Sequence, residues 1–273
     1  MQMIERGSGD PLVLIPGIQG RWEYVAPALD ALARWFRVLT FPLCDEPASG
    51  VAFDSSRPFE SYAQQVVRTL DHAGLGRAPI CGISFGGLIA LRFAAAHPDR
   101  TSALILVSTP GPAWHLRPRH QVYARVPRIA GPLFLAEAPW RLHAEIRRAL
   151  GAGAPRWRFV RGQLEALRKA PVSLPRIATR ARLIESADAA SAAARVAAPT
   201  LVVTGERALD HVVPVEGSSE YARVIPHAQS AVLERTGHLG SITRPELFAA
   251  VVRAFVATIA RENLRASGKN DAA

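Results

Sequence analysis

Short runs that are apolar at nearly every position alternate along this chain with longer stretches in which apolar residues return every three to four positions. The short runs are Leu12–Pro16, Val38–Leu43, Pro79–Ile83, Ala103–Ser108, Thr200–Thr204 and Ala231–Arg235. Rich in Val, Ile and Leu and lacking polar alternation, they predict strands buried on both faces, as in a parallel sheet. Between them, Trp22–Phe36 predicts a helix, Phe59, Tyr62, Val66 and Leu70 share one face of a second over Glu60–Ala73, and Gly87–Ala95 forms a third. Leu247, Val251, Phe255 and Ile259 recur four apart in a carboxy-terminal helix over 246–265, with Pro245 at its favourable first position. The tail from Ala266 to Ala273 reads as frayed. Strands separated by helices of this length specify a sheet covered on both sides, a doubly wound and mostly parallel α/β fold.

The alternation stops after Ser108-Thr-Pro-Gly-Pro112 and resumes at Ala198-Pro199-Thr200. The stretch between has no strand candidate and is too long for a structureless loop. Helical spacing recurs within it at Leu142, Ile146 and Leu150, at Trp157, Val160, Leu164 and Leu167, and at Leu174, Ile177, Ala181 and Ile184. The chain therefore divides into a core over 1–112 and 199–273 and a helical insertion over 113–198.

Charge sharpens that division. The 273 residues carry 33 basic and 23 acidic side chains, net +10, and Lys169 and Lys269 are the only lysines. Residues 113–198 hold 16 of the basic and 5 of the acidic groups, net +11, which leaves 17 against 18, net −1, elsewhere. A basicity that would suggest a polyanion partner for the whole molecule belongs to one segment. The favoured reading of its arginines is a solvated flank, with Arg158, Arg161 and Arg168 beside the Trp157 stripe and Arg176 with Arg180 repeating the arrangement. The competing reading is a positive field over a pocket that selects an anionic small molecule, with Trp114, Phe134, Trp140 and Trp157 lining an apolar cleft.

No nucleic-acid-binding module is recognisable, so nucleic acid is not an expected partner. No run approaches the roughly 20 apolar residues of a membrane span, and the charged amino terminus does not read as a secretory signal. Cys44 and Cys81 give no disulfide framework and read as reduced, consistent with a cytoplasmic protein. No His, Cys, Asp or Glu pair has metal-ligand spacing, and no phosphate-binding glycine loop occurs, so neither metal nor cofactor is expected. The oligomeric state is not legible.

The chemistry concentrates where strands end. Gly82-Ile83-Ser84-Phe85-Gly86 is a G-x-S-x-G at a strand-to-helix junction, where glycines on both sides let neighbouring backbones approach and the serine project over the sheet edge. A serine hydroxyl needs a base, and the base an orienting acid. The strand Thr200–Thr204 runs into Gly205–Pro214, which carries Asp210, and the last strand into Gly237-His238. Glu206 is a substitute acid in the same loop, and His211 reads as a loop residue.

Ser84, Asp210 and His238, each after a strand and in that order, resemble the α/β-hydrolase superfamily from about Pro11 to Ile259, with only the topology matching through the insertion. The resemblance implies a catalytic triad of these three residues and an oxyanion hole of the Ile18 and Phe85 backbone N–H groups. It also implies a helical cap between the family's sixth and seventh strands, and a substrate pocket that takes in Gln19, Trp114, Trp140 and Trp157. Pro16 replaces the histidine usual before the glycine of the oxyanion loop, and the ten residues before Pro11 leave room for one short edge strand where the family supplies two. The implied activity is serine hydrolysis of a small or medium carboxylic ester or lactone. A carbon–carbon hydrolase, perhydrolase or acyltransferase would use the same triad, and a ligand receptor with a nearly idle triad is a reading of another class.

Overall fold

The structure, a computed structural model, describes residues 1–270. Its spine is a seven-stranded sheet of β1 (Ile4–Arg6), β2 (Asp10–Ile15), β3 (Phe36–Thr40), β4 (Ala78–Ile83), β5 (Thr101–Val107), β6 (Thr200–Thr204) and β7 (Gln229–Val232). The order across the sheet is β1-β3-β2-β4-β5-β6-β7. Among the described strands only β1 runs antiparallel, pairing Ile4 with Thr40 and Arg6 with Val38 at the edge. Every residue of β4 and β6 is buried, which is why these strands read as unbroken apolar runs.

The helices follow in chain order as α1 (Ala26–Leu32), α2 (Pro58–His72), α3 (Phe85–Ala96), α4 (Pro118–Arg125), α5 (Pro127–Ala136), α6 (Ala138–Leu150), α7 (Ala154–Lys169), α8 (Leu174–Glu185), α9 (Ala189–Ala194), α10 (Val215–Val224), α11 (Gly240–Thr243) and α12 (Pro245–Asn270). One core layer packs α2, α3, α9 and α10 onto a sheet face through residues such as Tyr62, Val66, Phe85 and Phe93. The other face is covered by α1 and α12 through Leu29, Leu32, Phe248, Val252 and Phe255. Both faces being covered, the fold is doubly wound.

Three expectations shift. The helix expected over Trp22–Phe36 is a 3-10 turn at Trp22–Val25 followed by α1, and Phe36 already opens β3. In α12 the buried stripe is Phe248, Val252, Phe255 and Ile259, with Leu247 and Val251 at its margin, and the helix continues to Asn270 instead of fraying from Ala266. Residues 271–273 of the expected tail lie outside the described residues.

The insertion comprises α4–α9, between β5 and β6. Of its third predicted stripe, Ile177 is buried and Leu174, Ala181 and Ile184 are half-buried. The stripe of α7 is not: Trp157, Leu164 and Leu167 are 67%, 61% and 44% exposed. That helix meets the core by Phe159 and Ala166, and the Tyr24 hydroxyl donates to the Ala170 carbonyl at its end, at 2.6 Å.

Candidate active site

Consecutive strands β2 and β3 extend the sheet one way, and the chain then returns to lay β4 on the other side of β2. At such a reversal the connections leave toward opposite faces and open a crevice at the carboxyl ends of the two strands, where α/β sheets bind ligands. Two segments border the crevice here. The loop Pro16–Gly20 follows β2, and Ser84 follows β4.

Ser84 has φ 55° and ψ −117°, a backbone conformation that costs a non-glycine residue about 1–3 kcal/mol. It is held by its own N–H donating to the Val107 carbonyl at 2.7 Å and by α3, nine of whose residues are buried. The flanking glycines are obligatory: a Cβ on Gly82 would overlap the Gly86 carbonyl, and one on Gly86 the carbonyls of Ile15 and Pro16. The side chain is thereby aimed out of the turn.

His238 and Asp210 meet it from two other strand ends. His238 Nε2 lies 3.1 Å from Ser84 Oγ, and His238 Nδ1 lies 3.4 Å from Asp210 Oδ2. The other carboxylate oxygen of Asp210 accepts the N–H groups of Val212 and Val213, each at 2.9 Å. The alternative acid, Glu206, is engaged elsewhere, accepting the Arg235 N–H at 2.6 Å.

Burial by itself pushes the Asp210 carboxyl up. The facing imidazole and the two loop N–H groups outweigh that and hold it below its usual range. Burial likewise pulls His238 down, and the negative charge and hydrogen bond of Asp210, with a contribution from Glu145, carry it above its ordinary value. A carboxylate kept ionised beside an imidazole raised in basicity is an arrangement suited to taking a proton from the serine.

The Gly17 backbone lies against Ser84, since a Cβ on Gly17 would stand 3.7 Å from that of Ser84 and 3.4 Å from Gln19 Oε1. Gln19 thus folds over the loop next to the serine. Among the described residues neither the Ile18 nor the Phe85 N–H has a backbone or side-chain acceptor, and Phe85, as the first residue of α3, has none within its helix.

Two contacts that the sequence did not signal come from the insertion. Arg180, with no exposed side-chain surface, donates through Nε to Asp45 Oδ2 at 2.9 Å, through Nη2 to Glu46 Oε1 at 2.5 Å and through Nη1 to the Ile18 carbonyl at 2.9 Å. Gly20, at φ 74°, makes room for this guanidinium, which any Cβ there would strike. Arg176 reaches the same Glu46 at 3.1 Å. Neither α8 arginine is the solvated flank expected of it, whereas Arg158, Arg161 and Arg168 of α7 are exposed. The second contact is Glu145, only 1% exposed, which accepts the Leu239 N–H at 2.7 Å.

The expected aromatic lining is corrected. Trp140 and Trp157 are 81% and 67% exposed, on the surface. The inward side of α7 is taken by smaller residues, and Trp140 meets His143 one turn along its own helix. Trp114 is half-buried against Leu116, Ala124 and Ala178, and the side chain of Phe134 lies outside the described residues. Among the described residues no cluster of three metal-ligating side chains occurs, and no helix is long and apolar enough to cross a membrane.

Comparison with known proteins places this geometry in a wider setting. The family described as alpha/beta hydrolase fold matches residues 10–245. A protein of Enterobacter cloacae named as a carbamate hydrolase, RutD, is 29% identical, the match covering 87% of each chain. The 2-hydroxymuconate semialdehyde hydrolase of Pseudomonas sp. strain CF600 is also 29% identical, over 93% of this chain and 89% of its own. The crystal structure of the enol-lactonase from Burkholderia xenovorans superposes with a TM-score of 0.75 at 23% identity, covering 94% of this chain and 96% of that one.

Proposed function

Because this chain belongs to the alpha/beta hydrolase family and is a hydrolase, we propose that it cleaves a small or medium carboxylic ester or lactone through an acyl-enzyme on Ser84. The observation that carries the reading is the hydrogen-bond chain from Ser84 Oγ through His238 to Asp210.

In the proposed reaction His238 Nε2 takes the proton as Ser84 Oγ attacks the carbonyl carbon. Asp210 keeps the other ring proton on Nδ1 and stabilises the imidazolium. The carbonyl oxygen becomes an oxyanion received by the Ile18 and Phe85 N–H groups, each such donor contributing about 3 kcal/mol of transition-state stabilisation. Collapse breaks the bond to the leaving alkoxide, which departs with the proton from His238. Water, deprotonated by the same imidazole, then releases the acid and restores the serine.

In this reading the insertion serves as a cap, with Gln19 and Trp114 at the margin of the substrate space, and its arginine surplus favours esters that also carry a negative group. Buried, unpaired Cys44 and Cys81 support action in a reducing compartment such as the cytoplasm.

A second reading, hydrolysis of a carbon–carbon bond beside a carbonyl, is favoured by the likeness to 2-hydroxymuconate semialdehyde hydrolase and uses the same residues. Purified protein assayed on short-chain p-nitrophenyl esters, lactones and vinylogous 1,5-diketones separates the two. The ester reading expects Ser84→Ala to lose on the order of a millionfold in turnover. A wild-type ester rate no greater than that of the variant would sink it, and turnover of the diketones alone would transfer the site to the second reading.

A further inference from the structure

Glu145 is a buried carboxylate that the proposed reaction does not use. It projects from α6, yet its contacts lie in the loop that carries His238. Oε1 accepts the Leu239 N–H at 2.7 Å, and Oε2 is buried with no partner among the described residues. Leu239 follows His238 directly, so one side chain from the insertion holds the backbone next to the imidazole-bearing residue.

The local alternatives explain this poorly. Leu239 stands immediately before α11, whose free N-terminal N–H groups need acceptors, but a serine or asparagine in the loop itself would supply one without burying a charge. An ionised carboxylate taken out of water costs far more than one N–H bond returns. The cost is offset only by what else the charge acts on. The charged groups facing it are His238 and Asp210, and burial, opposed by the Gly237 and Leu239 N–H groups and by His238, leaves its value at about 7. The arginines of the next turn, Arg147 and Arg148, are directed to a separate open cleft with Leu209 and Arg235.

We propose that Glu145 is a positioning residue of the triad: it fixes the loop at Leu239, next to His238, and adds a second negative charge that favours the imidazolium, so that the triad is competent only with α6 seated. The proposal rests on the reading of Ser84, His238 and Asp210 as a catalytic triad. It makes the insertion part of the machinery that moves the proton.

The test uses the intact protein and a fluorophosphonate probe, whose rate of labelling at Ser84 reads the nucleophile without knowledge of the substrate. In Glu145→Gln, which keeps an acceptor for Leu239 but loses the charge, the acid-side midpoint of the labelling rate moves to lower pH by about one unit. In Glu145→Leu, which loses both, the plateau rate per folded molecule falls at least about tenfold. A midpoint unmoved in Glu145→Gln, with labelling lost only in proportion to folded protein, reduces Glu145 to a structural contact and overturns the proposal. Wild-type labelling no faster than in Ser84→Ala overturns the triad reading and this proposal with it. Should the variants fail to fold, NMR titration of the wild-type His238 ring decides. The proposal expects a stretched or two-step curve, because a facing carboxyl titrates in the same range; a single one-proton curve overturns it.

Discussion

Asp210 and Glu145 approach one imidazole from different parts of the chain, and burial pushes both carboxyls up with opposite net outcomes. Asp210, with two loop N–H groups and a direct hydrogen bond to the imidazole, is held below its usual range, whereas Glu145 rises from 4.5 to about 7. Asp210→Asn should keep the fold by circular dichroism and lower kcat by about four orders of magnitude, since the amide favours the wrong tautomer of His238. Because His238 is raised and, in the proposed reaction, acts as a neutral base, kcat/KM should climb through a midpoint above 6.5, read from a pH–rate profile. For Glu145 the native state keeps its proton longer than the unfolded chain. Its stabilising contribution is complete below pH 4.5 and lost as pH passes 7, about 3 kcal/mol in all. Urea unfolding at acid and alkaline pH should show that loss in the wild type and not in Glu145→Gln. Arg180→Ala would strand the buried carboxylate of Asp45 and leave Glu46 with Arg176 alone, at a cost of about 3–5 kcal/mol in the same assay. Ser84, Asp210 and His238 were legible because each sits in a short motif at a strand end. Glu145 and Arg180 were not, because Glu145 meets its partner across 94 positions and Arg180 meets Glu46 across 134, and no local pattern signals such a pairing.

Elements differed in legibility for a related reason. A strand buried on both faces leaves no question of orientation, so β2, β4, β5 and β6 could be read within two residues of their bounds. A helical stripe states only that a helix has two faces. In α2 the apolar face was also the buried one, but in α7 the aromatic side turned outward and Phe159 with Ala166 made the contact. Helices α4 and α5 went unread: Pro118 and Pro127 stand at their first positions and Pro132 within the second, which leaves little uninterrupted helical periodicity to read. The β4–α3 junction shows how much an element boundary can demand. Gly82→Ala drives a methyl into the Gly86 carbonyl and should cost at least about 2 kcal/mol while displacing Ser84. Slower fluorophosphonate labelling together with an earlier unfolding midpoint would register both effects.

At the scale of the molecule, a core near neutrality carries an insertion of net +11, and the two are joined by particular polar contacts. Tyr24 reaches Ala170, Arg180 reaches Asp45, Glu46 and Ile18, and Leu239 reaches Glu145. The exposed arginines of α7 have no such duty and repel one another. Arg158, Arg161 and Arg168 changed together to Gln should raise stability by about 0.5 kcal/mol at low salt and leave it unchanged at high salt, where the repulsion is screened. The anchoring contacts also limit how such a protein can be re-engineered. Helices transplanted into 113–198 from a relative would bring a new selectivity, but they would also remove the guanidinium under the Ile18 peptide and the carboxylate beside His238. A working chimera must therefore carry over Glu145 and Arg180 in register, and the outward faces between them are the surface left free to vary.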